Sequence, residues 1–137
     1  DPGNVGTIVR TADAIAGASV ALGPGSADAY SPKALRASMG SVFAAPPARA
    51  VLADTPAPRL ALIAHGPVPL EEAIGSVATV GTLVLGAERD GLPPEVEVAC
   101  EATGTIALRE GAESLNVAAA AAIALQRICS LGAAGAH

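Results

Sequence analysis

The chain has 137 residues, 51% of them hydrophobic and 15% charged, with a net charge of −5. That is the size of one domain with a real core and is short for two independent ones. Much of the apolar content is alanine, and no apolar run is long and continuous enough to span a bilayer, so the sequence predicts a protein with no membrane segment. The acidic balance runs against tight nucleic-acid binding by these residues alone, because Lys and Arg neutralising phosphates supply much of that affinity. Tyr30 and Phe43 are the only aromatics, too few for the row of stacking rings that single-strand readers use. Cys100 and Cys129 belong to no CxxC or Cys/His pattern, which excludes the usual zinc and redox motifs and fits a reduced, cytoplasmic setting. The opening Asp1-Pro2-Gly3-Asn4 carries no initiator Met, basic n-region or apolar h-region. It reads as the start of a piece excised from a longer protein rather than as a signal peptide.

Asn4 is a plausible N-cap, and Val5, Ile8, Val9, Ala12 and Ile15 follow at helical spacing to a stop at Gly17. Residues 18–22 predict a short buried strand ended by Gly23-Pro24-Gly25. Ser31-Pro32 predicts the start of a second helix, because serine suits the cap and proline the first turn, and Gly40 predicts its end. After the Pro-rich stretch from Pro46 to Pro58, residues 60–64 predict a strand and residues 69–74 a short helix with acidic residues in its first turn. Continuous apolar strands are predicted over residues 82–86 and 104–108. The Ala-rich segment from about Ser114 to Leu131 predicts a helix packed on two sides, suited to a core or a dimer contact. Strands alternating with helices, and continuous rather than alternating apolar patterns within the strands, give an α/β domain with a mostly parallel sheet flanked by helices. Ligands in such sheets bind in the loops beyond the strands' carboxyl ends.

Three clusters fall at loops or helix starts. In Asp1 to Ala12, Asn4 is placed to hold a substrate group and Arg10 follows about two helical turns on. In Leu83 to Leu92, a buried strand delivers Gly86 and the Glu88 carboxylate to a loop, where a glycine lets backbone approach a ligand. In Ile106 to Val117, a strand leads through a polar loop to Ser114 and Asn116 at a helix start. Each cluster alone also fits a structural reading: a cap plus a surface arginine, a turn, and an ordinary helix N-terminus. Their order and spacing together carry more, since independent short matches rarely align by chance.

Taken together, the clusters resemble the three motifs of the SpoU branch of the SPOUT methyltransferases. Asn4, Gly6 and Arg10 match N-x-G-x-x-x-R; Leu85, Gly86 and Glu88 match L-G-x-E; and Ser114-Leu115-Asn116-Val117 matches S-L-N-V. The resemblance implies an RNA methyltransferase that moves a methyl group from S-adenosylmethionine to a ribose 2′-hydroxyl. It further implies a homodimer, a deep C-terminal trefoil knot and no metal. Leu85, Gly86, Ile106, Leu108 and Leu115 are then the cofactor-pocket residues, and Asn4, Arg10, Glu88, Ser114 and Asn116 the catalytic site. Ile106-Ala107-Leu108 stands where the family usually has Ile-Pro-Met, and Ala87 where it often has Asn. The chain starts at the first motif, so the resemblance implies a missing first strand and a missing N-terminal RNA-binding domain, with residues 1–137 as the methyltransferase domain. The stretch from Tyr30 to Phe43 looks more like the ribosomal-RNA branch than the tRNA branch.

Methyl transfer from a sulfonium to an oxygen is an in-line displacement whose main demand is near-attack geometry. The acceptor hydroxyl needs a base or a stabiliser of developing alkoxide. The family proposal gives Arg10 the role of base, across the dimer interface. A guanidinium is so strong a base that it stays protonated in proteins, so an Arg10 that orients ribose and phosphate is the safer assignment, with Glu88 orienting a donor such as Arg10. Lys33 and Arg36 lie i, i+3 on the second helix and read as a solvated face that could also meet RNA phosphates. His65 and His137 are solitary and receive no chemistry. The alternatives are a catalytically silent dimerisation or RNA-binding module of the same fold, and an unrelated nucleotide-binding α/β domain. The second would carry G-x-G-x-x-G or a P-loop after its first strand, and neither pattern is present.

Overall fold

Asp1 and Pro2 start the first helix three residues before the expected Asn4 cap. A computed structural model gives the architecture and describes residues 1–87 and 90–135, with side chains to residue 132. Its two compact units are Asp1–Thr55 and Pro56–His137. In the first, α1 spans Pro2–Thr11, and the Asp1 carboxylate accepts from the Gly3 N–H at 2.8 Å. Aspartate ahead of a first-turn proline is as good a cap as asparagine, so Asn4 lies inside the first turn. The helix widens into a π-helical turn over Ala12–Ala16 and closes at Gly17, whose φ of 58° is the left-handed stop expected of it.

The helix α2 spans Pro32–Ser38, and the Ser31 hydroxyl accepts from the Ala34 N–H at 3.3 Å, as the Ser-Pro start predicts. It packs on α1 at Gly6, where a Cβ would run into the Ala34 carbonyl and lie 2.9 Å from the Ala37 Cβ. Gly6 of the first motif therefore has a packing reason of its own. Met39 (φ 51°) and Gly40 (φ 89°) turn the chain into a short helix, α3, Ser41–Ala44. The strand expected over residues 18–22 pairs only at Ala21–Leu22 (β1). Its partner β2, Ala48–Arg49, lies within the Pro-rich stretch, with Ala21 opposite Ala48 in parallel register. Val9, Leu22, Ala29 and Val42 form this unit's core.

In the second unit, β3 (Arg59–Leu62) is central between β4 (Thr82–Val84) and β5 (Ala102–Gly104), and both pairings are parallel. The parallel α/β reading therefore holds in both units. Three helices accompany the sheet: α4 (Leu70–Gly75), α5 (Pro94–Ala99) and α6 (Val117–Gly135). Leu60, Leu70, Ala73, Ile74 and Ala124 make the core, and burying leucines such as Leu60 and Leu70 contributes about 1.5–3 kcal/mol each. Arg127 of α6 forms an ion pair with Glu71 of α4.

The strand expected over residues 104–108 lies two residues earlier. The Glu101 carboxylate accepts from the Arg59 N–H at 2.7 Å, and the Glu101 N–H donates to the Arg59 carbonyl at 3.0 Å. These bonds pin the register so that Ala102 faces Leu60. Because β3 ends at Leu62, the chain beyond Gly104 has no neighbouring strand, and Thr105 bonds instead to the Val68 carbonyl and the Leu70 N–H. Residues 106–108 thus leave the sheet. Among the described residues, no helix is long and apolar enough to cross a membrane.

Candidate functional site

A cleft of about 400 Å³ opens beyond the carboxyl ends of the second unit's strands, where ligands of parallel sheets bind. Leu62 to His65 supply one wall after β3, and Ile106 and Leu108 another after β5. The segment after β4 contributes Leu85, Gly86, Ala87, Asp90 and Gly91, and the approach to α6 contributes Glu113, Ser114 and Leu115. The volume is that of a small-molecule site, largely apolar with a few polar groups.

The loop after β4 folds back on itself. Ala87 bridges Gly91 in antiparallel fashion, the Gly91 N–H donates to the Ala87 carbonyl at 2.9 Å, and Gly91 takes a φ of 64°. A Cβ on Gly86 would collide with the backbone of Gly91 and Leu92. Gly86 is therefore demanded by the loop's own packing, and its lack of a side chain also leaves the cleft wall open.

The expected cofactor residues Leu85, Gly86, Ile106, Leu108 and Leu115 all line this one cleft, and Ser114 lies at its edge. Asn116 caps α6: its Oδ1 accepts from the N–H groups of Ala118 at 2.9 Å and Ala119 at 3.2 Å. This moves the helix start from the expected Ser114 to Val117, and it fixes the exposed segment holding Ser114 and Leu115 against a defined helix end. Asn4 and Arg10 belong to the first unit, on α1, with Asn4 half-buried and Arg10 exposed. Arg10 makes no ion pair among the described residues. Glu88 and His137 lie outside the described residues.

No lysine or arginine lines the cleft among the described residues, whereas Asp90 and Glu113 do. The two carboxylates suit a ligand with positive charge. Sequence reasoning passed over His65, Asp90 and Glu113, all of which line the cleft. His65 was legible from the rule that ligands gather beyond strand carboxyl ends, since it directly follows the strand expected over residues 60–64. Outside the cleft, burial and the neighbouring Glu101 carboxylate push the Cys100 thiol pKa above its ordinary 9.0, with Arg59 pulling the other way.

A model of the SpoU rRNA Methylase family matches residues 1–126. Among curated proteins, the chain is 32% identical over 133 residues to the 23S rRNA (uridine(2479)-2'-O)-methyltransferase of Streptomyces viridochromogenes, covering 88% of this chain and 46% of that protein. It is 37% identical over 131 residues to the 23S rRNA (guanosine(2553)-2'-O)-methyltransferase RlmP of Bacillus subtilis, covering 90% of this chain and 52% of that protein. The chain thus spans about half the length of these curated relatives. Among solved structures, the AdoMet-bound rRNA methyltransferase of Sinorhizobium meliloti superposes with a TM-score of 0.84 at 34% identity, over 96% of this chain and 52% of that one.

Proposed function

The chain belongs to the SpoU rRNA Methylase family, and on that premise we propose that residues 1–137 are the methyltransferase domain of an RNA ribose 2′-O-methyltransferase. Its substrate is ribosomal RNA and its methyl donor S-adenosylmethionine. The observation that carries this reading is the cleft itself: residues from the second and third motifs, distant in sequence, line one cleft in which no lysine or arginine is found among the described residues. The substrates named for the Streptomyces and Bacillus relatives support ribosomal RNA, and the AdoMet-bound Sinorhizobium relative supports the donor.

The residues present fit that donor. Leu85, Ile106, Leu108 and Leu115 offer apolar surface to a flat base, and Asp90 and Glu113 oppose the charge of a sulfonium and an ammonium. When bound, S-adenosylmethionine supplies a methyl group on positively charged sulfur, already activated for displacement. The protein's own task is to position the acceptor and ease loss of its proton. Arg10, permanently cationic, holds the ribose and adjacent phosphate and stabilises developing negative charge on the 2′-oxygen. Glu88 is the carboxylate of the proposed catalytic set. Asn4, Ser114 and Asn116 hold the substrate and the loops around it, with Asn116 doing so through the cap of α6. The reading extends to a cytoplasmic homodimer with the C-terminal segment threaded into a deep trefoil knot, and to further parts of the full-length protein that select the RNA.

Calorimetric titration of the chain with S-adenosylmethionine and S-adenosylhomocysteine tests this reading. Leu115→Asp serves as the blocked-pocket variant, because Leu115 is partly exposed (37%) and tolerates a polar replacement. Gly86→Trp is a poorer control, since any side chain there strikes the loop backbone. Binding that Leu115→Asp abolishes, followed by methylation of 23S rRNA, is the expected result. A folded chain that binds neither compound would instead be a silent module of the same fold.

A further inference from the structure

The first unit holds four cations and four carboxylates, but their spacing is uneven: between Asp28 and Asp54 lie Lys33, Arg36 and Arg49 and no carboxylate. The same stretch carries the unit's exposed large apolar side chains, Tyr30 (48% exposed), Met39 (71%), Phe43 (71%) and Val51 (52%), and so both aromatics of the chain. Two of its cations are engaged, Lys33 with Asp1 at 3.2 Å and Arg49 with the Ser26 carbonyl at 3.4 Å. Arg36, in the last turn of α2, is exposed and makes no ion pair among the described residues. The left-handed turn at Met39 and Gly40 follows at once and sets α3 against α2, so Arg36, Met39 and Phe43 sit on one tight corner.

From this arrangement we propose that the α2–α3 corner is a contact surface for single-stranded RNA, on which Phe43 stacks a base near the target nucleotide and Arg36 meets a phosphate. The inference rests on the chain being an RNA methyltransferase and says where in the first unit the RNA lies. An exposed ring and an exposed guanidinium on either side of one turn, the latter without an ion pair among the described residues and both in a segment free of carboxylates, are what single strands use: stacking for the base and cation for the backbone. A self-complementary face for a second copy of this chain fits less well, because it would set the cations of this stretch against the same cations of the other copy with no carboxylate in it to pair them.

The test uses the full chain and a short, unstructured, fluorescein-labelled single-stranded RNA, with binding followed by anisotropy over a range of salt. Phe43→Ala is expected to weaken binding about tenfold and Phe43→Trp to restore it, as loss and recovery of one stacked base require. Arg36→Ala is expected to lower the slope of log K against log salt by about 0.7, the release expected for one phosphate contact on a single strand. Titration with S-adenosylmethionine should be unaffected by all three, and Val98→Ala, on the highly exposed Val98 of the second unit, should leave RNA binding unchanged. If the unsubstituted chain binds the RNA and Phe43→Ala and Arg36→Ala bind it equally well, the corner is not an RNA surface while the methyltransferase reading stands. A sedimentation shift to monomer in those two variants, with RNA binding retained, would likewise overturn the inference and make the corner a self-association face. No RNA binding by the unsubstituted chain would overturn the inference, while the methyltransferase reading stands or falls separately on the S-adenosylmethionine titration.

Discussion

The two units differ in how they carry charge and in what their glycines do. Residues 1–55 hold four cations against four carboxylates, whereas residues 56–137 hold four against nine, so the whole net charge of −5 resides in the second unit. The first unit exposes cations and rings; the second builds a cleft beyond a parallel sheet that no lysine or arginine lines among the described residues. Gly6 of the first unit lets two helices touch, while Gly86 of the second lets a loop close on itself. An acidic chain is therefore compatible with an RNA substrate when its acidity is segregated from the surface that meets RNA. The whole-chain charge, read alone, hides this.

If the first unit supplies chemistry and the second the donor site, Arg10→Ala should lower kcat for methyl transfer by about 10²- to 10⁴-fold with donor affinity unchanged in calorimetry. Near-normal turnover in Arg10→Lys would exclude any role that needs the planar guanidinium fork. In the opposite direction, Leu115→Asp should weaken S-adenosylmethionine binding by at least about tenfold, by setting a carboxylate into an apolar wall, while leaving the urea midpoint within experimental error. Equal affinity would detach the cleft from the donor.

The packing contrast is open to denaturation experiments. Gly6→Ala should destabilise the chain by about 1–3 kcal/mol, because the added methyl group has no room between α1 and α2; an unchanged urea midpoint would show that the helices separate freely. Asn116→Ala should remove about 1 kcal/mol with the cap, and Asn116→Ser should recover most of it. Methyl transfer measured in Asn116→Ser then separates the two roles: restored activity means that Asn116 acts through the cap, and lost activity with restored stability means that it also meets substrate. The smallest effect concerns Cys100. With its folded pKa raised above 9.0, the native chain keeps a proton that the unfolded chain releases, so stability falls as pH rises past about 9. Cys100→Ser should flatten that decline between neutral pH and about pH 10 in urea titrations.

Much of the site was legible because its residues sit in short, ordered motifs. Ser31-Pro32 and Gly17 announced helix ends, and apolar runs announced β3 and β4. The strand expected over residues 104–108 fell two residues late because apolar character continues past Gly104, whereas pairing stops where β3 stops. β2 was missed inside a Pro-rich stretch because its two paired residues, Ala48 and Arg49, carry no strand pattern; the partner strand alone makes them one. Asp90 and Glu113 were passed over because nothing local distinguishes them; only the convergence of loops makes them part of a wall.

The sequence by itself determined the family, the parallel α/β class and the motif residues that line the cleft, since these follow from local pattern and from motif order. Tertiary structure decided which backbone groups pair, which glycines are demanded by packing, and where charge and exposed rings gather. Each of those depends on atoms brought together from distant parts of the chain, and no local spacing encodes that proximity.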